Sequence, residues 1–405
     1  MTDDASAPPL LWAGSYTAEF PGRGLGLTPL THDESGGLAV AGAAHTTASP
    51  SFAVAHPSLA VLYTADESRS TVSAFAVSDA ALTSLGSQPA GPAVCHVAVD
   101  PAGGFVAATC WGDGRVLIYP LDGAGRLGSP VLAAPASDPH AGSRPAVDGH
   151  TGAAPRSQAH MTLVLDPLPD GSRMLATTDL GYDLVRFWAW SPAAVSVGAT
   201  PAPAAAGATP APPASGVSAA AAPGPAAADA SARGSLTLLG EVVLPLGSGP
   251  RHLVRTPDGR LLVVTEYSVE VAVLEVAVLE PTAAPDAPFR LAQTAPVLAD
   301  GPAPGDSGAE IALSPDARHV YVGVRGSDLL ATLELDGPAL RPVAQVPSGG
   351  RTPRHHLVDG DRLHIAHQDS DELTTHALSP EGLPSGIVAR LPLGSPTAIA
   401  WAPRS

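Results

Sequence analysis

Short apolar runs alternate with Pro/Asp/Gly turns along almost the whole chain, and they do so in a recurring unit. A polar or charged residue opens an apolar run, a tight turn follows, and a second apolar run ends on another polar residue. Copies begin near Ser51, Cys95, His160, Arg251, Glu310 and Arg354. The stretches PRHLVRTPDGRLLVVTEY from Pro250, AEIALSPDARHVYVGVRG from Ala309 and CHVAVDPAGGFVAATCWG from Cys95 display it. Each reads as two β-strands joined by a turn. A third run usually follows, as in TVSAFAV from Thr71, RVLIYPL from Arg115 and EVAVLEV from Glu270. Repeats of roughly 40–50 residues with several strands each predict a β-propeller.

The six openings give six blades, and the termini supply a seventh. SPTAIAWAP from Ser395 reads as a lone innermost strand, LLWAGSYT from Leu10 and GLGLTPL from Gly24 as the next two, and GLAVAGAAH from Gly37 as the outer one. The expected fold is therefore all-β: a seven-bladed β-propeller of four-stranded antiparallel blades, closed by a blade shared between the N- and C-termini. Closure removes the exposed edges of an open sheet. Residues 10–405 form one domain in this reading, behind a flexible N-terminus at 1–9. Two stretches interrupt the repeat. Residues 137–157 are Gly/Pro/His-rich and read as a rim loop leading to His160. Residues 193–232 are mainly Ala, Pro, Gly, Ser and Thr, with too little apolar surface to offset the entropy of ordering, and read as a disordered insertion.

The same pattern locates the chemistry. In an antiparallel hairpin the first residue of one strand lies beside the last residue of its partner. Arg251 is thereby expected beside Glu266, Glu310 beside Arg325, Arg354 beside Gln368, His96 beside Cys110, His160 beside Asp179, and Ser51 beside Asp66. One rim then gathers Arg, Glu, His and Asp around a common axis.

Charge sharpens this picture. The formal net charge is −17, and all 21 basic residues are Arg. An acidic chain without a basic run argues against nucleic acid and anionic membrane as partners, and the absence of Lys removes Schiff-base chemistry. Local cations on a negative protein point to a small anionic ligand. No apolar run reaches the roughly 20 residues of a membrane-spanning helix. The opening MTDDASAPP has no basic n-region, so the expected compartment is the cytoplasm, with the chain working as a monomer. The two cysteines, Cys95 and Cys110, read as small core residues. No nucleophile elbow, P-loop or dinucleotide fingerprint is present, and no cofactor is expected.

Arg251 with Glu266 is the leading pair: the guanidinium holds an anionic group while the carboxylate orients a water or takes a proton. Glu310, Arg325 and Arg354 extend it. His160 follows a polar loop and suits general acid/base work. His96, His252 and His355 sit at or beside equivalent strand openings, where they would line the ring as hydrogen-bond donors. Asp179 and Gln368 end the paired strands. The sequence lacks a tight His/Asp cluster with zinc-type spacing, and the four His of HHLVDGDRLHIAH alternate as strand faces do, so no metal is expected.

These segments resemble the seven-bladed propeller lactonase family. The resemblance is carried by AGSYT, ADESRSTVSAFAV, GPAVCHVAVDPAG, QAHMTLVLDP with TTDLGYD, GSGPRHLVRTPDGR with TEY, AEIALSPDARHVYVGVRG, and TPRHHLV with HQDSD, all in the family's order. It implies a site built on His160, Arg251 and Glu266, with Glu310, Arg325 and Arg354 on the same rim. Gln158-Ala159-His160 stands where the family often has His-Ala-His, Thr265 where it has Asn, and Cys110-Trp111 where it has Asn-Tyr. The implied activity is hydrolysis of a sugar-acid lactone, with 6-phosphogluconolactone first. The alternatives are a muconate-type lactonizing cycloisomerase and a non-catalytic propeller that binds a small acid or a protein partner.

Overall fold

The computed structural model describes residues 11–147, 149, 152–193, 234–277 and 288–403. The segment expected to be a flexible N-terminus and nearly all of the expected 193–232 insertion lie outside them. Among the described residues the strands form seven antiparallel sheets around one axis, and no helix occurs. The blades are numbered here from the first innermost strand. These strands are Pro50–Ala55, Val94–Val99, Ala159–Pro167, Pro250–Arg255, Ser307–Leu313, Pro353–Asp359 and Pro396–Trp401, and each touches the next around a closed ring.

The seventh blade joins the chain ends. Leu11–Ser15 pairs with Pro396–Trp401 on one side and with Gly26–His32 on the other. Its outer position is not the single strand expected from Gly37. Two short strands, Leu38–Val40 and His45–Thr46, share it, both paired with Gly26–His32.

Strand side chains alternate between faces, so a strand packed between two blades must be apolar on both. The second strand of blade four, Leu261–Thr265, shows why LLVV is continuous: Leu262 and Val264 pack toward blade five, while Leu261 and Val263 pack toward blade three. The buried apolar residues divide into seven clusters, one per blade interface. Outer strands such as Ala81–Pro89 are mostly exposed.

Each innermost strand opens with a register shift. Pro250 pairs with Thr265, and pairing resumes at His252 with Val264, leaving Arg251 as the extra residue. Ser51, Cys95 and Arg354 are the extra residues of their blades, Glu310 is one of two residues opposite Gly323 in blade five, and His160 falls in the same break of blade three. A bulge leaves its residue outside the ladder and re-aims its side chain. The residues that open the sequence unit are therefore the ones that the fold turns toward the rim.

Candidate functional site

A second position repeats beside the bulges of blades one, four, six and seven. The residue just past the second strand donates its N–H to the carbonyl two residues before the bulge, as in Glu266 to Gly249 (2.7 Å), Glu67 to Ser49, Gln368 to Thr352 and Tyr16 to Ser395. The acceptor residue has a left-handed backbone in each case, with φ of 65° at Gly249, 31° at Ser49, 58° at Thr352 and 39° at Ser395. This turn holds the side chains of Tyr16, Glu67, Glu266 and Gln368 at equivalent places on the rim.

Glu266 is the hub. Its Oε2 lies 3.0 Å from Arg251 Nε and 3.0 Å from Arg325 Nη2. Arg325 also donates to the Gly308 carbonyl at 3.2 Å. Burial favours the neutral acid, but Arg325, Arg251 and Arg354 outweigh it and hold Glu266 below the usual glutamate range. It is an ionised acceptor at neutral pH. Arg251 is 2% exposed, and burial with the nearby Arg325 lowers its pKa to about 10, so it remains a cation. Its contact with Glu266 is off the N–H direction: Arg251 Nε and Nη1 make no hydrogen bond, nor does Arg325 Nε. Buried guanidinium N–H groups without acceptors are costly unless something else accepts from them.

The expected Glu310–Arg325 pair does not form. The break between Gly308 and Ile311 takes two residues, Ser307 pairs with Arg325 instead, and Glu310 turns toward the axis. There its Oε2 meets His252 Nδ1 at 2.9 Å and His355 Nε2 at 3.3 Å. The Ile399 N–H donates to His355 Nδ1 at 3.3 Å, which places that ring's proton on Nε2, facing Glu310. Burial pushes His355 down to about 4, and burial with Arg251 holds His252 well below 6.5, so both are neutral donors to a carboxylate.

His96, His160 and His252 pack edge to face around the axis, with His160 and His252 centroids 5.0 Å apart and His96 and His252 5.9 Å apart. Burial, then Arg251 and His252, drive His160 well below 6.5. The Nδ1 atoms of His96 and His160 are buried without a partner. Arg354 donates to Gln368 Oε1 at 3.3 Å, as their pairing implied, and lies over the Tyr16 ring at 5.1 Å.

Asp179 does not join this group. It accepts from the Gln158 and Tyr182 amides at 2.8 and 3.1 Å and from the Ser157 hydroxyl, tying the rim loop to blade three. Asp66 likewise accepts from Thr64, Thr71 and Ser73. His96 sits opposite Thr109 rather than Cys110, one residue off the expected register. Both cysteines are buried and free, as core thiols. Of the 137–157 loop, Arg144 pairs with Asp138 and Asp183, and Arg156 lies over Trp111 at the rim.

Sequence reasoning missed Tyr16, Glu67 and Phe52. The Tyr16 hydroxyl donates to Glu67 Oε2 at 2.8 Å, beside Arg354. Both stand at the position that Glu266 occupies in its own blade, so AGSYT and ADES carried the signal. Phe52 closes the axis against His96 at 4.2 Å and His355 at 5.5 Å. Beyond it lies a cavity of about 470 Å³ lined mainly by apolar residues such as Ala53, Val54, Leu357 and Ile399, with His355 and His356.

Arg251 and Arg354 on bulges, Arg325 at a strand end and an ionised Glu266 in the following turn define a class: a propeller with a polar, arginine-lined site at one end of its axis. The model of the family "Lactonase, 7-bladed beta-propeller" matches residues 10–210 and 228–401, and the chain belongs to that family. A 6-phosphogluconolactonase of Bacillus subtilis is 27% identical over 272 residues, covering 66% of this chain; the match spans only 61% of that relative's length. Among solved structures, a periplasmic gluconolactonase of Pseudomonas aeruginosa superposes with a TM-score of 0.74 at 19% identity, covering 98% of this chain and 99% of that one. A protein from Lactobacillus plantarum superposes with a TM-score of 0.73 at 22% identity, with the same coverage of each. At these identities the superpositions speak for the fold.

Proposed function

We propose that this protein hydrolyses a sugar-acid lactone, with 6-phosphogluconolactone as the first substrate to test. The observation that carries the reading is Arg251: a buried cation with two guanidinium nitrogens lacking acceptors, beside Arg325 and an ionised Glu266. A lactone is a cyclic ester, and opening it needs an activated water and donors for the oxyanion. Arg251 and Arg325 supply donors where negative charge develops or where a substrate phosphate or carboxylate binds. Glu266, pinned by its arginines, orients the water as an acceptor.

His160 takes the proton. Its depressed pKa makes it a weak base in the free protein, but an anion on Arg251 offsets the second largest cause of that depression. Sugar lactones open readily in water, so a modest acceleration by positioned charges suffices. Glu310, His252 and His355 form the floor of the site, and the 137–157 loop borders it. The reading keeps a monomer in the cytoplasm; the periplasmic relative makes cell fractionation a direct check.

The test is lactone opening by purified protein. 6-Phosphogluconolactone is generated in situ, and spontaneous opening is subtracted. Wild type should accelerate opening, and Arg251→Ala should lower kcat/KM by about a hundredfold, the scale of losing an oxyanion donor. Arg325→Gln, at a part-exposed site, should do so with an unchanged melting curve. No acceleration, or full activity in both variants, overturns the proposal.

A further inference from the structure

The face opposite the arginine rim carries a second cluster. His32 ends the Gly26–His32 strand of blade seven, Asp359 ends the innermost strand of blade six, and His364 lies on the blade's second strand, Arg362–His367. One ligand atom from each lies within 4.8 Å of the others. His32 Nε2 is 2.7 Å from Asp359 Oδ2, and His364 Nε2 is 3.7 Å from the same oxygen.

His364 is the informative member. Its side chain is fully buried, and its Nε2 has no hydrogen-bond partner. Its Nδ1 is held by Thr375 Oγ1 at 2.9 Å. In the tautomer that donates from Nδ1 to Thr375, the Nε2 lone pair faces a carboxylate oxygen. Two acceptors that face each other at 3.7 Å are held together best by a cation. A ligating histidine whose other nitrogen is fixed by a hydrogen bond is the usual arrangement at metal sites. The competing cation, Arg362, is engaged by Asp361 at 2.8 Å. His32 and Asp359 are about a quarter exposed, which leaves an entry path and a fourth position open to water.

We propose that His32, Asp359 and His364 bind a divalent transition-metal ion of zinc type. Two imidazoles and one carboxylate suit that class better than they suit calcium or magnesium, which prefer all-oxygen shells. Ligand bonds of about 2.0–2.2 Å require only sub-ångström to ångström shifts of these side chains. The ion's role follows from its place. Blade seven is joined by pairing between the two chain ends, and this site ties its N-terminal strand to blade six across that seam. Linking groups from opposite ends of a chain restricts the unfolded state strongly.

The test uses the full chain, free of any histidine tag and stripped with a chelator. Zn²⁺ is titrated calorimetrically, and Co²⁺ is followed by its visible absorption. One equivalent should bind, the Co²⁺ spectrum should be that of a low-coordinate nitrogen/oxygen site, and Zn²⁺ should raise Tm. His32→Gln and Asp359→Asn, both at part-exposed positions, should weaken binding at least about tenfold and cancel the Tm rise. Thr375→Val should weaken it by about tenfold through the second shell. Lactone opening should be the same in wild type and His32→Gln. Failure of wild type to bind, or equal affinity in wild type and the His32 and Asp359 variants, overturns the site.

Discussion

Glu266 and His160 owe their charge states to opposite balances. At Glu266, burial opposes ionisation and three arginines outweigh it. At His160, burial and the cations act together, so the ring stays neutral. The histidine's acid limb must then respond to substrate. An anion bound at Arg251 reduces the repulsion that the imidazolium feels, and the pKa of His160 rises in the complex. Because kcat/KM reports the free enzyme and kcat the complex, kcat should begin to fall at a higher pH than kcat/KM as the solution is acidified. The profiles are best measured with a lactone whose acid group does not titrate in that range. Superimposable limbs would remove His160 as the base. Limbs lying only below the glutamate range would move the role to Glu266, whose pKa is held down by its arginines.

At the scale of the element, the bulge decides what was legible. The alternation of apolar runs revealed the hairpins and the residues that open them, and those openings are the bulged positions of six blades. Plain hairpin pairing still brought Arg251 to Glu266 and Arg354 to Gln368, because a one-residue bulge moves the partner by one step. It failed at Glu310, where the break spans two residues, Ala309 and Glu310, opposite Gly323, and the side chain meets His252 and His355 rather than Arg325. Bulge length depends on how the neighbouring blade packs, which no local pattern encodes. Gly308 shows that packing: a Cβ there would lie 2.4 Å from the Thr265 carbonyl of blade four, backbone that cannot step aside. Gly308→Ala should therefore destabilise by about 1–3 kcal/mol, the usual cost of overpacking. Gly123→Ala, with nothing within 4 Å, should melt like wild type. Equal denaturant midpoints for the two variants would show that blades four and five have slack at this point.

The whole molecule keeps much of its histidine out of water. Besides His364, seven of the described histidines, His96, His160, His252, His355, His356, His367 and His376, are held below 6.5, with burial the largest cause at each. The unfolded chain protonates these rings near pH 6.5, whereas the native state resists until about pH 4 at His355, His356 and His367. Between those limits the unfolded state binds more protons, so stability must fall as pH falls. Asp66, raised to about 6 by burial, and Asp179, raised by the same cause, act in the opposite sense, since the native state takes up their protons first. Two groups against seven leave the histidines dominant. The carboxylates pinned by arginine, Glu266 among them, add to the loss only below the ordinary glutamate range. Thermal melts should therefore be flat from pH 8 to about 7 and then lose more than about 5 °C in Tm by pH 5, the scale expected when a few kcal/mol are removed from a large domain. His367→Gln should recover part of that loss, because an amide keeps a polar partner for the Thr374 hydroxyl and takes up no proton. A Tm independent of pH across this window would mean that these rings take up protons in the native state as readily as in the unfolded chain, and the burial-held neutrality assigned to the donors at the floor of the site would fall with it.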